Sequence, residues 1–210
     1  MATTTLPEFL RARRERLQPA STERRRTPGL RREEVAARAD VTPALQRVLD
    51  NLRVPALVKT PTFQIVAWNR AAVAVIGDYA AIPERERNML RRVFHPEAAA
   101  FLPHADDMRR TCLAAFRVDV ARAGATEEAA ALVDELMETS EDFRRLWAEN
   151  ELHTHGVRHR RLFKPTVGEL VFEASTFSVD DSDGLSMVVL SPVDDDSARG
   201  VEQLIRELAE

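Results

Sequence analysis

The spacing of the strand-like segments limits the fold of this chain more than any other feature. Two short runs rich in Val, Ile, Phe and Trp, at 56–59 and 62–68, read as a hairpin, and nothing strand-like follows until 157–164, 168–179 and 185–191. Within 169–177 the even positions Leu170, Phe172, Ala174 and Thr176 share one side, so that strand has a single apolar face. Asp183-Gly184 supplies the turn into the last strand. A two-stranded hairpin is marginal by itself, so the two groups are expected to complete one antiparallel sheet around whatever lies between them. That insertion reads as helical. Asn69 caps a helix reaching Ile76 and stopped by Gly77, and further helices are expected over 83–93, 106–123, 126–137 and 140–151, with Thr126 and Ser140 as N-caps. Met108, Cys112, Phe116 and Val120 recur every four residues as a buried stripe ended by Gly124. A closing helix over 197–208 places Val201, Leu204, Ile205 and Leu208 on one side. The expected fold class is α+β, an antiparallel sheet with a large helical insertion, preceded by a small all-α segment.

Charge divides the chain differently. With 44% hydrophobic and 30% charged residues, the 210 positions suit one ordinary domain, or one with a small attachment. The net charge of −4 conceals a split: residues 1–40 hold ten Arg against five Glu and one Asp, a formal +4, and the remainder sums to −8. A basic head on an acidic body suggests an anionic partner for the head, nucleic acid or a membrane surface, because counterion release rewards clustered Arg. Of the 30 basic residues 28 are Arg, and the exceptions are Lys59 and Lys164; genomic base composition accounts for that ratio better than mechanism does. The longest apolar run, 71–77, falls far short of the roughly 20 residues that cross a bilayer. Glu8 interrupts the N-terminus before a secretory core forms, and the single Cys112 leaves no internal disulfide, so the expected compartment is the cytoplasm.

Thr5-Leu6-Pro7-Glu8 is a capping-box start for a helix to about Leu17, striped by Leu6, Phe9, Leu10 and Leu17. A loop over 18–29 carries Arg24, Arg25 and Arg26 and closes on Thr27-Pro28-Gly29, and a second helix over 30–39 offers Leu30, Val35, Ala36 and Ala39. Two short helices around an Arg-rich loop resemble the opening of a helix-turn-helix headpiece. The run from Arg24 through Thr27-Pro28-Gly29-Leu30-Arg31-Arg32-Glu33-Glu34-Val35-Ala36 is similar to the start of actinobacterial Xre-type regulators of the MmyB-like family. In that family the second helix leads through a Gly turn into a recognition helix for the major groove. Here Arg38 and Asp40 stand where the family has a core Leu and the turn Gly, and Pro43 follows directly on Val41-Thr42. The head is therefore expected to be truncated, giving domains at 1–42 and 43–210. The alternative is that 42–52 is a divergent third helix of the head, with Thr42 capping and Pro43 in its first turn.

The body carries the closer resemblance. Residues 43–52, then Ala67-Trp68-Asn69-Arg70-Ala71-Ala72, Arg87-Asn88-Met89-Leu90 and Val167-Gly168-Glu169-Leu170, resemble the second domain of the MmyB-like family over roughly 43–208. Lys164 before Pro165 departs from it, a His being common there. The resemblance implies a PAS-like fold whose cavity accepts an apolar or fatty-acid-like small molecule. Phe63, Trp68, Phe116 and Phe172 are the candidate lining residues, with ordinary packing as their competing role. It also implies DNA as a partner. Arg24, Arg25, Arg26, Arg31 and Arg32 are the candidates for phosphate contacts, which give affinity without base readout. A homodimer would add affinity without restoring base contacts, and no membrane partner is expected.

Other motifs carry less. His153, His155 and His159 have no Cys or carboxylate completing a ligand set, and Arg158, Arg160 and Arg161 repel a cation, so no metal is expected. That stretch reads as an exposed basic strand, or as one whose inward Arg or His pairs with an anionic head group. The Asp180-Asp181-Ser182-Asp183-Gly184 segment lacks the ligands of a calcium loop at Val179 and Leu190 and reads as a turn. Cys112 falls on an apolar stripe and reads as core. With no nucleophile elbow, phosphate loop or dinucleotide fingerprint, neither catalysis nor a cofactor is expected. The leading expectation is a ligand-sensing transcription regulator. The alternative is a stand-alone ligand-binding or dimerisation module without DNA recognition.

Overall fold

In the computed structural model, residues 41–124, 126–149, 159–180, 182 and 184–208 are described. The expected head, with Arg24, Arg25, Arg26, Arg31 and Arg32, lies outside the described residues, as do His153, His155, Asp181 and Asp183. Thr42 accepts from the Leu45 N–H at 3.2 Å, and Pro43 occupies the first turn of helix α1 (Pro43–Asn51). Its apolar side, with Val41, Leu45, Leu49 and Leu52, packs against Ala56, Val58, Val66 and Ala67 on the outer face of the sheet.

Five strands form that sheet: β1 (Ala56–Lys59), β2 (Ile65–Trp68), β3 (His159–Lys164), β4 (Gly168–Ser178) and β5 (Ser186–Pro192). All neighbours are antiparallel, in the order β2-β1-β5-β4-β3. The two strand groups thus join through β1 against β5. Between β2 and β3 come α2 (Arg70–Val75), α3 (Met89–Phe94), α4 (Ala105–Ala123), α5 (Thr126–Thr139) and α6 (Glu141–Ala148), and α7 (Asp195–Glu207) closes the chain. The α+β expectation holds.

Three differences from the sequence reading have local causes. The second strand begins at Ile65 because Phe63 adopts φ 65, a left-handed turn conformation. The Phe63 N–H donates to the Thr60 carbonyl at 3.0 Å there, and the Thr60 N–H to Gln64 at 2.9 Å. The helix expected over 83–93 breaks at Arg87-Asn88, where the backbone pairs with the edge of β2: Ile65 N–H to the Arg87 carbonyl at 2.7 Å and Met89 N–H to the Phe63 carbonyl at 2.9 Å. Asn88 then caps α3 by accepting from Leu90 and Arg91 N–H groups. The last helix starts at Asp195, with Asp194 accepting from Ser197 N–H, and this frees the Ser197 hydroxyl to accept from Val171 N–H.

The inner face of the sheet is covered by two separate apolar cores. Leu57, Trp68, Leu170, Phe172 and Leu190 pack with α2, α7 and Tyr79. Phe63, Leu90, Phe94, Phe116, Leu132 and Phe143 form the core of a helical lobe made from α3 to α6. Charge clamps hold the lobe. Arg91 forks onto Glu135 at 2.8 and 2.7 Å, joined by Arg85 at 2.6 Å. The Arg91 fork holds the Glu135 carboxyl down at about 2 against the upward push of partial burial, with Arg85 assisting. Buried Arg109 donates to the Val93 carbonyl at 3.0 Å and to Asp142 at 2.7 Å.

Asn69 ties the body together. Its Oδ1 accepts from Ala56 N–H at 3.1 Å and Ala72 N–H at 2.9 Å. Its Nδ2 is shared among the carbonyls of Leu49, Leu52 and Val54 at 3.2, 3.1 and 2.8 Å. Removing the amide strands buried backbone groups at about 1–3 kcal/mol each. Asn69→Leu is therefore expected to lower unfolding stability by about 3 kcal/mol or more in urea titration. A loss below about 1 kcal/mol would show that the amide is not the tie.

Candidate functional site

Two cationic centres lie on the inner sheet face, one at Lys59 and the other at Arg87, whose carbonyl accepts from the N–H of Ile65, the register partner of Lys59. Lys164 stands farther along β4: Ser178 stands across from Ser186, which stands across from Lys59, whereas Gly168 stands across from Lys164. Ten residues of strand separate the two lysines, roughly 30 Å at about 3.3 Å per residue.

The first centre is neutralised. Lys59 ends an otherwise apolar strand and is 3% exposed. Its Nζ lies 2.5 Å from the Asp119 carboxylate on α4 and 3.9 Å from the centre of the Phe63 ring. Phe63 in turn meets Phe116 edge-on at 5.4 Å. Burial pulls the Lys59 ammonium below its ordinary range, and the Asp119 hydrogen bond and charge oppose that pull. Burial likewise pushes the Cys112 thiol up, against the nearby charges of Arg160 and Lys59. A cleft of about 650 Å³ opens beside this pair, lined in part by Pro61, Asp119, Arg122, Ser178, Gly184 and Ser186. Gly184 is required there: its φ is 76, and a Cβ would come 2.9 Å from Pro61.

Among the described residues no ion pair reaches the second centre. Arg87 is 2% exposed; its Nε donates to the Ile82 carbonyl at 3.0 Å and its Nη1 has no partner. Its guanidinium is 5.9 Å from the Trp68 ring, Trp68 lies 5.4 Å from Tyr79, and Arg92 is 5.2 Å from the Tyr79 ring. Burial and then the charge of Arg92 hold the Lys164 ammonium below its ordinary range. Burial pushes the Tyr79 hydroxyl up to about 12, against the nearby charge of Arg92.

The four aromatic candidates fall into two pairs. Phe63 and Phe116 belong to the lobe core, and Trp68 and Phe172 to the sheet core. All four are fully buried. In β3, Arg160, Leu162 and Lys164 point inward and half-buried, while His159, Arg161 and Phe163 face outward and exposed. Among the described residues no group of His, Cys, Asp or Glu is placed to hold a metal, and Cys112 is buried in the lobe. Sequence reasoning missed Lys59, Asp119, Arg87 and Arg92 as partners. Lys59 had a signal, since it is a lone charge in a strand of Ala, Leu and Val.

A five-stranded antiparallel sheet with one face closed by helices inserted between its second and third strands defines a PAS-like sensor body. The chain matches the MmyB-like transcription regulator ligand binding domain over residues 41–204 and belongs to that family. No curated protein matches it. Membership gives the body a ligand-sensing regulatory role. No helix among the described residues is long and apolar enough to cross a membrane.

Stranding the Lys59 charge is costlier than removing it. Asp119→Ala is expected to destabilise by about 3 kcal/mol or more and Lys59→Met by clearly less, both read by urea unfolding. Because the folded ammonium releases its proton below 10.5 while the unfolded one retains it, folding is favoured as pH climbs toward that value. The stability of the unaltered chain should thus rise relative to Lys59→Met across that window. A flat difference would show that burial does not depress the ammonium.

Proposed function

We propose that the chain is a DNA-binding transcription regulator of the MmyB-like kind, with residues 43–210 as sensor and residues 1–42 as a shortened Xre-type helix-turn-helix head. The sensor takes a small apolar, fatty-acid-like molecule. The seam between the two inner cores carries this reading. Each core is closed by its own side chains, and Met89 and Leu162 pack against both. A guest between them would meet Phe63 and Phe116 from the lobe, and Trp68 and Phe172 from the sheet. The cleft at one end of the seam also falls within the range of about 300–1,000 Å³ that small-molecule sites occupy.

The head would supply affinity for DNA through Arg24, Arg25, Arg26, Arg31 and Arg32 on phosphates, with little base readout. A cytoplasmic location and self-association through the body belong to the same reading. Native mass spectrometry of the chain purified from its host tests the sensor. A retained apolar molecule is expected, lost in Leu162→Trp, which fills the seam; protein from the host at its bare mass overturns the reading.

Fluorescence anisotropy with unrelated duplexes over a salt series tests the head. Weak binding of similar strength to each is expected. Five phosphate contacts set the steepest log–log salt dependence at about −4.5. Nanomolar preference for one duplex would show that the head reads bases.

A further inference from the structure

We propose that the outer face of β4 and β5 is the docking surface for the first helix of the chain's own head, expected over residues 6–17. The inference rests on the shortened-head reading above: the sensor's sheet supplies the apolar partner that such a head lacks. That face is only half covered. α1 lies over Ala56, Val58, Val66 and Ala67, and its apolar cluster reaches Met187 and Val189 on β5 at the margin. Beyond the margin Phe177 stands across from Met187, Ser175 across from Val189 and Glu173 across from Ser191. Val193 continues the row, donating its N–H to the Val171 carbonyl at 3.1 Å. Phe177 is 51% exposed and Val193 42%, and Phe163, on the same face of β3, is also 42% exposed. Large apolar side chains gathered on one open face mark a surface that something covers.

Attachment, apolar pattern, length and charge name the occupant. Val41 is buried in the same outer-face cluster as Met187 and Val189, so residues 1–40 join the body on this side of the sheet, away from the helical lobe. The stripe Leu6, Phe9, Leu10 and Leu17 needs an apolar partner, and about 40 residues seldom close a core alone. As a helix, residues 6–17 span about 17 Å at about 1.5 Å per residue, and Val171 to Phe177 spans about 20 Å at about 3.3 Å per residue. The same helix carries Arg11, Arg13, Arg14 and Arg16, in a segment of +4 joined to a body of −8. Exposed Glu173, midway along the face, is in no ion pair among the described residues, whereas Glu169 is held by Arg161. Docked there, the helix leaves the loop with Arg24, Arg25 and Arg26 free for phosphates. It also reads the sensor directly, because Phe172 on the inner face alternates along β4 with Val171 and Glu173 on the outer one.

Hydrogen–deuterium exchange of the full chain tests the docking, with native mass spectrometry for the oligomeric state. The amides of residues 6–17 are expected to exchange about tenfold or more slowly than in the unfolded chain. Phe177→Asp, Val193→Asp and Leu10→Asp should each return them to the unfolded rate, while β4, β5 and α7 keep their protection, since all three substitutions spare the buried body. Val118→Asp, equally exposed but on the helical lobe, should leave residues 6–17 protected. Exchange of residues 6–17 at the unfolded rate in the unaltered chain overturns the docking and leaves the shortened head standing. Protection that survives both Phe177→Asp and Val193→Asp overturns it as well, and shows a head with a core of its own, which sinks the shortened-head reading. A dimer that Phe177→Asp dissociates without altering exchange at 6–17 assigns the face to a second copy of the chain and overturns the inference.

Discussion

One side-chain amide sets the geometry on which the sensor body depends. The segment between α1 and β1 leaves the carbonyls of Leu49, Leu52 and Val54 turned inward without a regular ladder, and Pro55 has no N–H to offer. Asn69 answers all three with one NH₂ group, and with its oxygen it starts both β1 and α2. A hydroxyl has too few donors for this, and a carboxylate has none when ionised. The end of α1, the start of the hairpin and the first inner helix are therefore fixed relative to one another by a residue that is itself 1% exposed. Trp68, the neighbour of Asn69, is aimed at the inner face as a result.

Charge pairs hold the elements of the body together. Paired cations such as Arg109 and Arg91 join helix to helix, and their carboxylates come from elements that would otherwise slide past one another. Lys59 joins sheet to lobe in the same way. Its partner Asp119 also borders the cleft, so a structural pair forms one wall of an opening. Among the described residues, buried Arg87 and half-buried Arg92, Arg117, Arg160 and Lys164 are in no ion pair, and Arg117 instead meets the Trp147 carbonyl and ring.

Much of this was legible in the sequence because it is periodic or local. The strand groups, the stripe through Cys112 and Phe116, and the caps at Thr42, Asn69 and Ser140 all lie within a few residues of the signal that reveals them. What failed is nonlocal. The helical pattern across 83–93 is strong, yet Arg87-Asn88 gains more by pairing with the edge of β2, and no residue in the segment announces that edge. Phe63 occupies a turn position that glycine or asparagine normally marks, held by its buried ring against Phe116 and Lys59. The amide of Asn69 reaches carbonyls 15 to 20 positions earlier, so only its capping role was readable. Arg87 and Arg92 were hidden among 28 Arg, where a charge-rich stretch reads as solvated surface.

For a bound molecule to regulate anything, it must prefer one arrangement of the body over another, and the preference must be large. Moving an equilibrium from 1:99 to 99:1 takes about 5.5 kcal/mol of differential binding. Apolar contact along a seam is a weak source of such a difference, since the two cores recover much of it by closing on each other when the guest leaves. Charged hydrogen bonds are worth about 1.5–3 kcal/mol each, and Nη1 of Arg87 has no partner among the described residues. Two or three of them reach the scale required. Beside Arg87 is Trp68, the next residue is Asn69, and Asn69 holds the last carbonyls of α1, the described element that leads back toward residues 1–40. Under the proposed function, a guest that shifts Trp68 acts on its covalent neighbour Asn69, the residue that fixes where α1 ends.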